Sequence, residues 1–267
     1  MKYKIVVICF LMSSITCLAN AVKSVNGAVH SRFSSVAEES VSAKDYVQDG
    51  LIGQWDGIEN AGYGKHDYES NEWVDLIGGN NFINLEYGKW SDNCWVNSGD
   101  VANMRSFAPK DFITIEIVIC QSPTYNRGAV RKVVTVSPYG GTRSIFINPQ
   151  GDRVLVHNNS NLPCAYFENG VEGKIITASF VYSSKEASAQ ISKAYNNGAR
   201  SCEVGYTTWN SNIYFSKGGG NILILGDDTN YGSGDSMCFS IRLYDRELSD
   251  EEVAYNHTID KARFNVP

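Results

Sequence analysis

The stretch Phe112-Ile113-Thr114-Ile115-Glu116-Ile117-Val118-Ile119-Cys120 alternates with a period of two. Isoleucine holds 113, 115, 117 and 119, and Thr114, Glu116 and Val118 fall between. Such alternation puts one set of side chains on a buried face of a β-strand and the other set on the opposite face. The same texture continues outward. Downstream, strands are expected at 129–136, 143–148, 153–157, 174–182, 187–195, 200–204, 221–225 and 237–244. Pro149-Gln150-Gly151-Asp152 and Asn196-Asn197-Gly198 lie between neighbouring strands and carry hairpin-turn chemistry. Upstream, Leu51-Ile52-Gly53-Gln54-Trp55 reads as the first strand, followed by a Gly-, Asn- and Asp-rich loop holding His66, Asp67 and Trp73. Many strands with short connections and no intervening helical period give an antiparallel sandwich, not an α/β fold.

One helix is expected, near the C-terminus. Ser249 is a good N-cap, and Glu252 three residues on completes a capping box. Leu248 and Val253 flank the cap as a hydrophobic staple. Tyr255, Ile259 and Ala262 form its expected buried stripe.

Composition agrees. The chain has 267 residues, with 43% hydrophobic, 12% aromatic and only 19% charged residues. That supports a sizeable core and excludes global disorder. Twenty-four Gly and 15 Tyr against 6 Pro suit strands and turns. The net charge is −6, without a basic patch, which argues against nucleic-acid binding.

Residues 1–21 read as a secretory signal. Lys2 and Lys4 supply the positive start, 5–12 the short apolar run, and Ala19-Asn20-Ala21 the cleavage site. The run is too short for a membrane anchor, and no later segment reaches spanning length. Cys17 follows Ser14-Ile15-Thr16, and Thr suits poorly as the residue before a lipidated cysteine. The expected location is therefore outside the cytoplasm: extracellular, at the cell surface or periplasmic. Residues 22–45 lack periodicity and read as a linker or N-terminal arm, leaving 46–267 as one domain. Cys94, Cys120, Cys164, Cys202 and Cys238 remain after cleavage, an odd number with no C-x-x-C pair.

The run Phe239-Ser240-Ile241-Arg242-Leu243-Tyr244-Asp245-Arg246-Glu247-Leu248-Ser249-Asp250-Glu251-Glu252-Val253 resembles the closing strand and short helix of laminin-G-like, concanavalin A-like lectin/glucanase domains of secreted bacterial proteins. Arg242, Tyr244, Arg246, Leu248, Ser249 and Glu252 match the pattern residue by residue. Asp49-Gly50-Leu51, Trp55-Asp56-Gly57 and Trp73-Val74-Asp75-Leu76 resemble the opening of the same domains, so the likeness spans about 46–264. The chain departs from the pattern at Ser240, where an acidic residue is frequent. The resemblance implies an all-β fold: a jelly-roll sandwich of two antiparallel sheets with one short C-terminal helix. It implies glycan or protein binding on the concave face or the rim loops. It also implies a disulfide near the C-terminus, for which Cys202 and Cys238 have similar spacing.

Catalysis finds little support. Related glucanases pair carboxylates on one strand in an E-x-D-x-x-E arrangement, because acid and nucleophile must stand about 5–5.5 Å apart. This chain lacks the motif, and Glu116 is a lone acid on its strand. Trp90, Trp95, Tyr125, Trp209 and Tyr231 lie in loop-like stretches and are candidate sugar platforms, since flat aromatic faces meet sugar C–H groups. Asp56 in one loop, and Asp227, Asp228 and Asp235 in another, are candidate Ca²⁺ ligands, because Ca²⁺ takes hard oxygen donors. Asn158-Asn159-Ser160 and Asn256-His257-Thr258 carry the N-glycosylation acceptor pattern. The leading expectation is a secreted, non-catalytic, lectin-like module that binds carbohydrate. The alternatives are a protein-binding adhesion or assembly domain and a glycoside hydrolase using Glu116.

Overall fold

A computed structural model describes residues 41–78, 82–85, 88–97, 103–107, 114–121, 131–137, 143–147, 153–157, 161–166, 170–171, 173–182, 191–203, 220–224 and 236–267. Residues 1–21, Tyr125, Trp209, Tyr231, Asp227, Asp228 and Asp235 lie outside them. The compact unit begins at Val41.

The chain runs through β1 (Leu51–Asp56), β2 (Glu72–Val74), β3 (Phe82–Asn84), β4 (Gly88–Trp90), β5 (Trp95–Asn97), β6 (Asn103–Phe107), β7 (Thr114–Gln121) and β8 (Arg131–Ser137). It continues through β9 (Arg143–Ile147), β10 (Arg153–His157), β11 (Asn161–Tyr166), β12 (Ile175–Tyr182), β13 (Ile191–Asn196), β14 (Ala199–Glu203), β15 (Gly220–Ile224) and β16 (Ser236–Tyr244), then helix α1 (Asp250–Phe264). An eight-stranded sheet is ordered β14-β13-β12-β7-β16-β5-β4, with β1 also paired to β16. A six-stranded sheet is ordered β11-β10-β9-β8-β15-β6, and β2 and β3 form a small ribbon. The pairings in both sheets are antiparallel.

Alternation decides which side faces inward. Ile115, Ile117 and Ile119 of β7, Ile176, Ala178 and Phe180 of β12, and Ile241 and Leu243 of β16 share one buried cluster. Val154 of β10 belongs to it too, so the two sheets face each other across a common core. Each of these Ile, Leu, Val and Phe side chains contributes about 1.5–3 kcal/mol by leaving water. At Asn197-Gly198 the β13–β14 hairpin turns with φ of 43° and 76°, the pair of positive φ values a two-residue type I′ turn requires.

The opposite face of the large sheet is also buried, and it is polar. Thr114 and Glu116 of β7, Thr177 and Ser179 of β12, and Ser240, Arg242 and Tyr244 of β16 lie on it. Helix α1 covers them. Ser249 caps the helix and Glu252 returns the capping-box bond. Arg246 grips both Glu252 oxygens at 2.8 and 2.6 Å, and Leu248 and Val253 share a buried cluster. The matched residues Arg246, Leu248, Ser249 and Glu252 thus form the corner from β16 into α1.

The buried stripe of α1 differs from the expected one. It comprises Val253, Asn256, His257, Ile259, Asp260 and Phe264, while Tyr255 and Ala262 face outward. The helical spacing holds, but polar residues fill it because the sheet beneath is polar. Asn256 is fully buried, which removes it as a glycan acceptor.

Residues 42–47 are bonded into this unit as well. Ser42 and Asp45 cap a 3₁₀ turn over Ala43–Asp45. Tyr46 donates its hydroxyl to Asp260 at 2.8 Å, and the Val47 amide donates to Asn256 Oδ1 at 2.9 Å.

The expected Cys202–Cys238 disulfide is overturned. Cys94, Cys120 and Cys238 are buried thiols. Cys202 lies on β14 and Cys238 on β16, with β13, β12 and β7 between them. Four strand spacings amount to about 19 Å, whereas a disulfide needs Cα atoms within about 7 Å. Cys202 thus sits on the edge strand of the sheet and Cys238 on an interior one.

Candidate functional site

Three side-chain assemblies stand out, and two are sealed. The first centres on Arg242, fully buried with Glu116 and Asp260. Its Nε donates to Glu116 Oε2 at 3.0 Å, and Nη1 and Nη2 donate to Asp260 at 2.8 and 2.9 Å. Its Cζ lies 4.0 Å from the Tyr46 ring centroid. Glu116 accepts further bonds from Asn256 at 2.7 Å and Ser179 at 3.1 Å. Burial raises the Glu116 carboxyl above its ordinary range, with Arg242 opposing that shift. Burial alone would lower the Arg242 guanidinium, but Asp260, Tyr46 and Glu116 hold it firmly charged. Glu116, the acid considered for hydrolysis, is therefore a paired carboxylate beneath a helix, with no exposed surface.

The second assembly contains Asp56, the described member of the candidate Ca²⁺ set. Asp56 Oδ1 accepts from the Ile58 and Glu59 amides at 2.9 and 3.1 Å and from Arg263 Nη2 at 2.7 Å. Glu59 Oε1 also meets Arg263, at 3.3 Å. The positive charge beside Asp56 is thus the guanidinium of α1, and a metal ion there would face it directly. The residues at Asp56 do not fit a calcium site. Among the described residues, no group of three or more His, Cys, Asp or Glu is arranged to hold a metal.

The third assembly is aromatic and reaches the surface. Trp90 and Trp95, two of the candidate sugar platforms, are 5% and 4% exposed and belong to the inter-sheet core. The loop before β2 packs against them. The Trp90 ring stands edge-on to Trp73 at 5.4 Å and to Trp95 at 5.2 Å. Outward, His66 meets Trp90 at 6.1 Å and Tyr68 at 4.4 Å. Trp90 Nε1 donates to the Ser70 carbonyl at 2.9 Å, tying the loop down. His66 Nδ1 lies 3.1 Å from the Ile58 carbonyl. A carbonyl only accepts, so Nδ1 carries the proton. The series ends at Tyr68, which is 56% exposed. Its hydroxyl donates to Asp92 Oδ1 at 2.8 Å, across to the turn between β4 and β5. That bond, and the Asp92 charge, raise the phenol above the usual tyrosine range. The sequence reading picked the buried end of this series and missed its exposed end. Tyr68 carries no sequence signal separating it from the chain's other tyrosines; only the packing does.

No protein-family model matches the chain, and no curated protein matches it. Solved structures do. A Trypanosoma rangeli sialidase in complex with sialic acid superposes with a TM-score of 0.54 at 11% identity, over 79% of this chain and 33% of the sialidase. A mutant of that sialidase displaying trans-sialidase activity gives 0.58 at 10% identity, over 80% and 33%. The receptor binding domain of a botulinum neurotoxin C/D mosaic serotype gives 0.55 at 14% identity, over 79% and 52%. This chain spans about a third of the sialidases and about half of the toxin domain. At these identities the likeness is one of fold.

Proposed function

We propose that this protein is a secreted, non-catalytic, lectin-like module of the concanavalin A-like jelly-roll type, and that it binds carbohydrate. The observation that carries the reading is the shared antiparallel β fold. Proteins built on it include a sialidase solved with sialic acid and a toxin's receptor-binding domain. The non-catalytic part draws support from Glu116, which is enclosed with Arg242 and Asn256 and offers no proton to a ligand in solvent. No helix among the described residues is long and apolar enough to cross a membrane.

The test is a glycan-array screen of the purified full chain, with Ca²⁺ and again with chelator. Saturable binding supports the reading. Its loss on chelation would show that binding needs a metal. Silence in both buffers, with a protein captured insensitively to free sugar, would favour the adhesion alternative.

A further inference from the structure

We infer that Tyr68 and Asp92 form a sugar-binding subsite selective for neutral glycans over acidic ones. The inference rests on the carbohydrate-binding reading and assigns it a place on the molecule.

The platform is exposed and held. Tyr68 is the most exposed of the large hydrophobic residues at the described surface. A free surface tyrosine would lose rotamer freedom on binding. This one is already fixed at both ends, by the 2.8 Å bond to Asp92 and by His66 at 4.4 Å. Trp90 backs His66 and is itself bonded to Ser70. Pre-ordering of this kind removes a cost that association otherwise carries.

The chemistry matches a pyranose. An aromatic face accepts the apolar C–H face of a sugar ring. A carboxylate offers about four acceptor positions, so Asp92 can hold Tyr68 and still receive sugar hydroxyls from solvent. A hydroxyl bonded to an ionised acceptor is among the stronger polar contacts available.

The charge gives selectivity. Asp67 and Glu69 flank Tyr68, and both are exposed, as is Asp92. Across 65–72 and 89–92, the acids Asp67, Glu69, Glu72 and Asp92 outnumber Lys65 and Lys89. The whole chain carries −6. A carboxylated or sulfated sugar seated on Tyr68 would meet like charge and lose affinity relative to its neutral counterpart. Sialic acid, the ligand in one of the structures sharing this fold, is by this argument a poor occupant.

The experiment compares the full chain with Tyr68→Ala and Asp92→Ala on paired glycans differing only in a terminal sialic acid. Affinities are then measured by titration. The expected result is binding to the neutral member, weaker binding to the sialylated one, and a loss of about tenfold or more in Tyr68→Ala. Saturating glycan should also shield Tyr68 from nitration, a readout in the unmodified protein that no folding defect can mimic. Wild-type binding that survives both substitutions, with Tyr68 nitrated as fast as before, places the sugar elsewhere and overturns the subsite alone. Preference for the sialylated member overturns the selectivity. No binding to any glycan overturns the carbohydrate reading and the subsite with it.

Discussion

Arg242 and Asp260 meet through two bonds of 2.8 and 2.9 Å, one from each terminal guanidinium nitrogen, with neither residue exposed. This pair joins the last strand to the helix that follows it. Tyr46, donating to the same carboxylate, brings the start of the folded unit to the same point. Thr177 Oγ1 adds β12 at 3.0 Å.

Removing the cation should be costly. Arg242→Met leaves two buried carboxylates without their counter-charge, and breaking a buried pair from one side typically costs about 3–5 kcal/mol. Urea unfolding should show a lower midpoint of that size, with helix α1 released first in hydrogen exchange. Glu116→Gln keeps hydrogen-bonding atoms in place and should cost much less. Equal, small losses in both would mean that the cluster does not dock the helix.

Acid should weaken the fold in two stages. Burial holds His257 below its ordinary value of 6.5. The folded chain therefore binds fewer protons than the unfolded chain as pH falls from about 6.5 towards the native pKa, and stability falls with it. Asp250 and Glu252 are held below 3.8 and 4.5, by Tyr195 and Arg246 respectively, so their contribution is full above those values and is lost further down. Burial raises Glu116 and Asp56, giving the opposite slope above their ordinary values. His257→Gln should flatten the first stage and leave the second. Melting temperature against pH, compared between the two proteins, decides it. A variant curve parallel to wild type would remove His257 from the account.

The buried thiols of Cys94, Cys120 and Cys238 should be inert. Burial pushes Cys120 up to about 11 and Cys238 higher still, and it also raises Cys94. Since the thiolate is the reactive form, an aromatic disulfide reagent at mildly alkaline pH should leave all three unmodified until denaturant is added. Non-reducing peptide mapping should find no Cys202–Cys238 link. Rapid labelling of Cys238 in the native protein would contradict its placement in the core.

The sheet was legible in the sequence because alternation reports it directly. The run Ile115-Glu116-Ile117-Val118-Ile119 has the two faces its pattern predicts, and Asn197-Gly198 makes the turn its chemistry requires. The helix cap was equally plain, since Ser249 and Glu252 act within four residues. What failed were inferences that depend on distant partners. Glu116 reads as a lone acid because its counter-ion lies 126 residues away. The α1 stripe was sought among apolar residues, whereas Asn256 and Asp260 face inward to meet a polar sheet surface that no local pattern announces. Trp90 and Trp95 sit in loop-like sequence but plug the core, and the outermost ring of their series is the unremarked Tyr68.

Gly57 ties that outer ring to the fold. It follows β1 and donates its amide to the Phe239 carbonyl at 2.7 Å. A Cβ placed there would lie 2.3 Å from the Asn93 carbonyl oxygen and 2.9 Å from the Cys94 Cα. These are backbone atoms of the turn that carries Asp92, so the turn itself must move. Gly57→Ala should cost about 1–3 kcal/mol, the usual range for overpacking a tight site. The displaced turn should also carry Asp92 away from the Tyr68 hydroxyl. Nitration of Tyr68 should then be faster than in wild type, because loss of the Asp92 bond lets the phenol ionise more readily. Gly64→Ala serves as the control, since its added Cβ meets nothing within 4 Å and only its φ of 68° is strained. If both variants lose the same stability and nitrate alike, the close approach of Gly57 to Asn93 has no part in holding the Tyr68 platform.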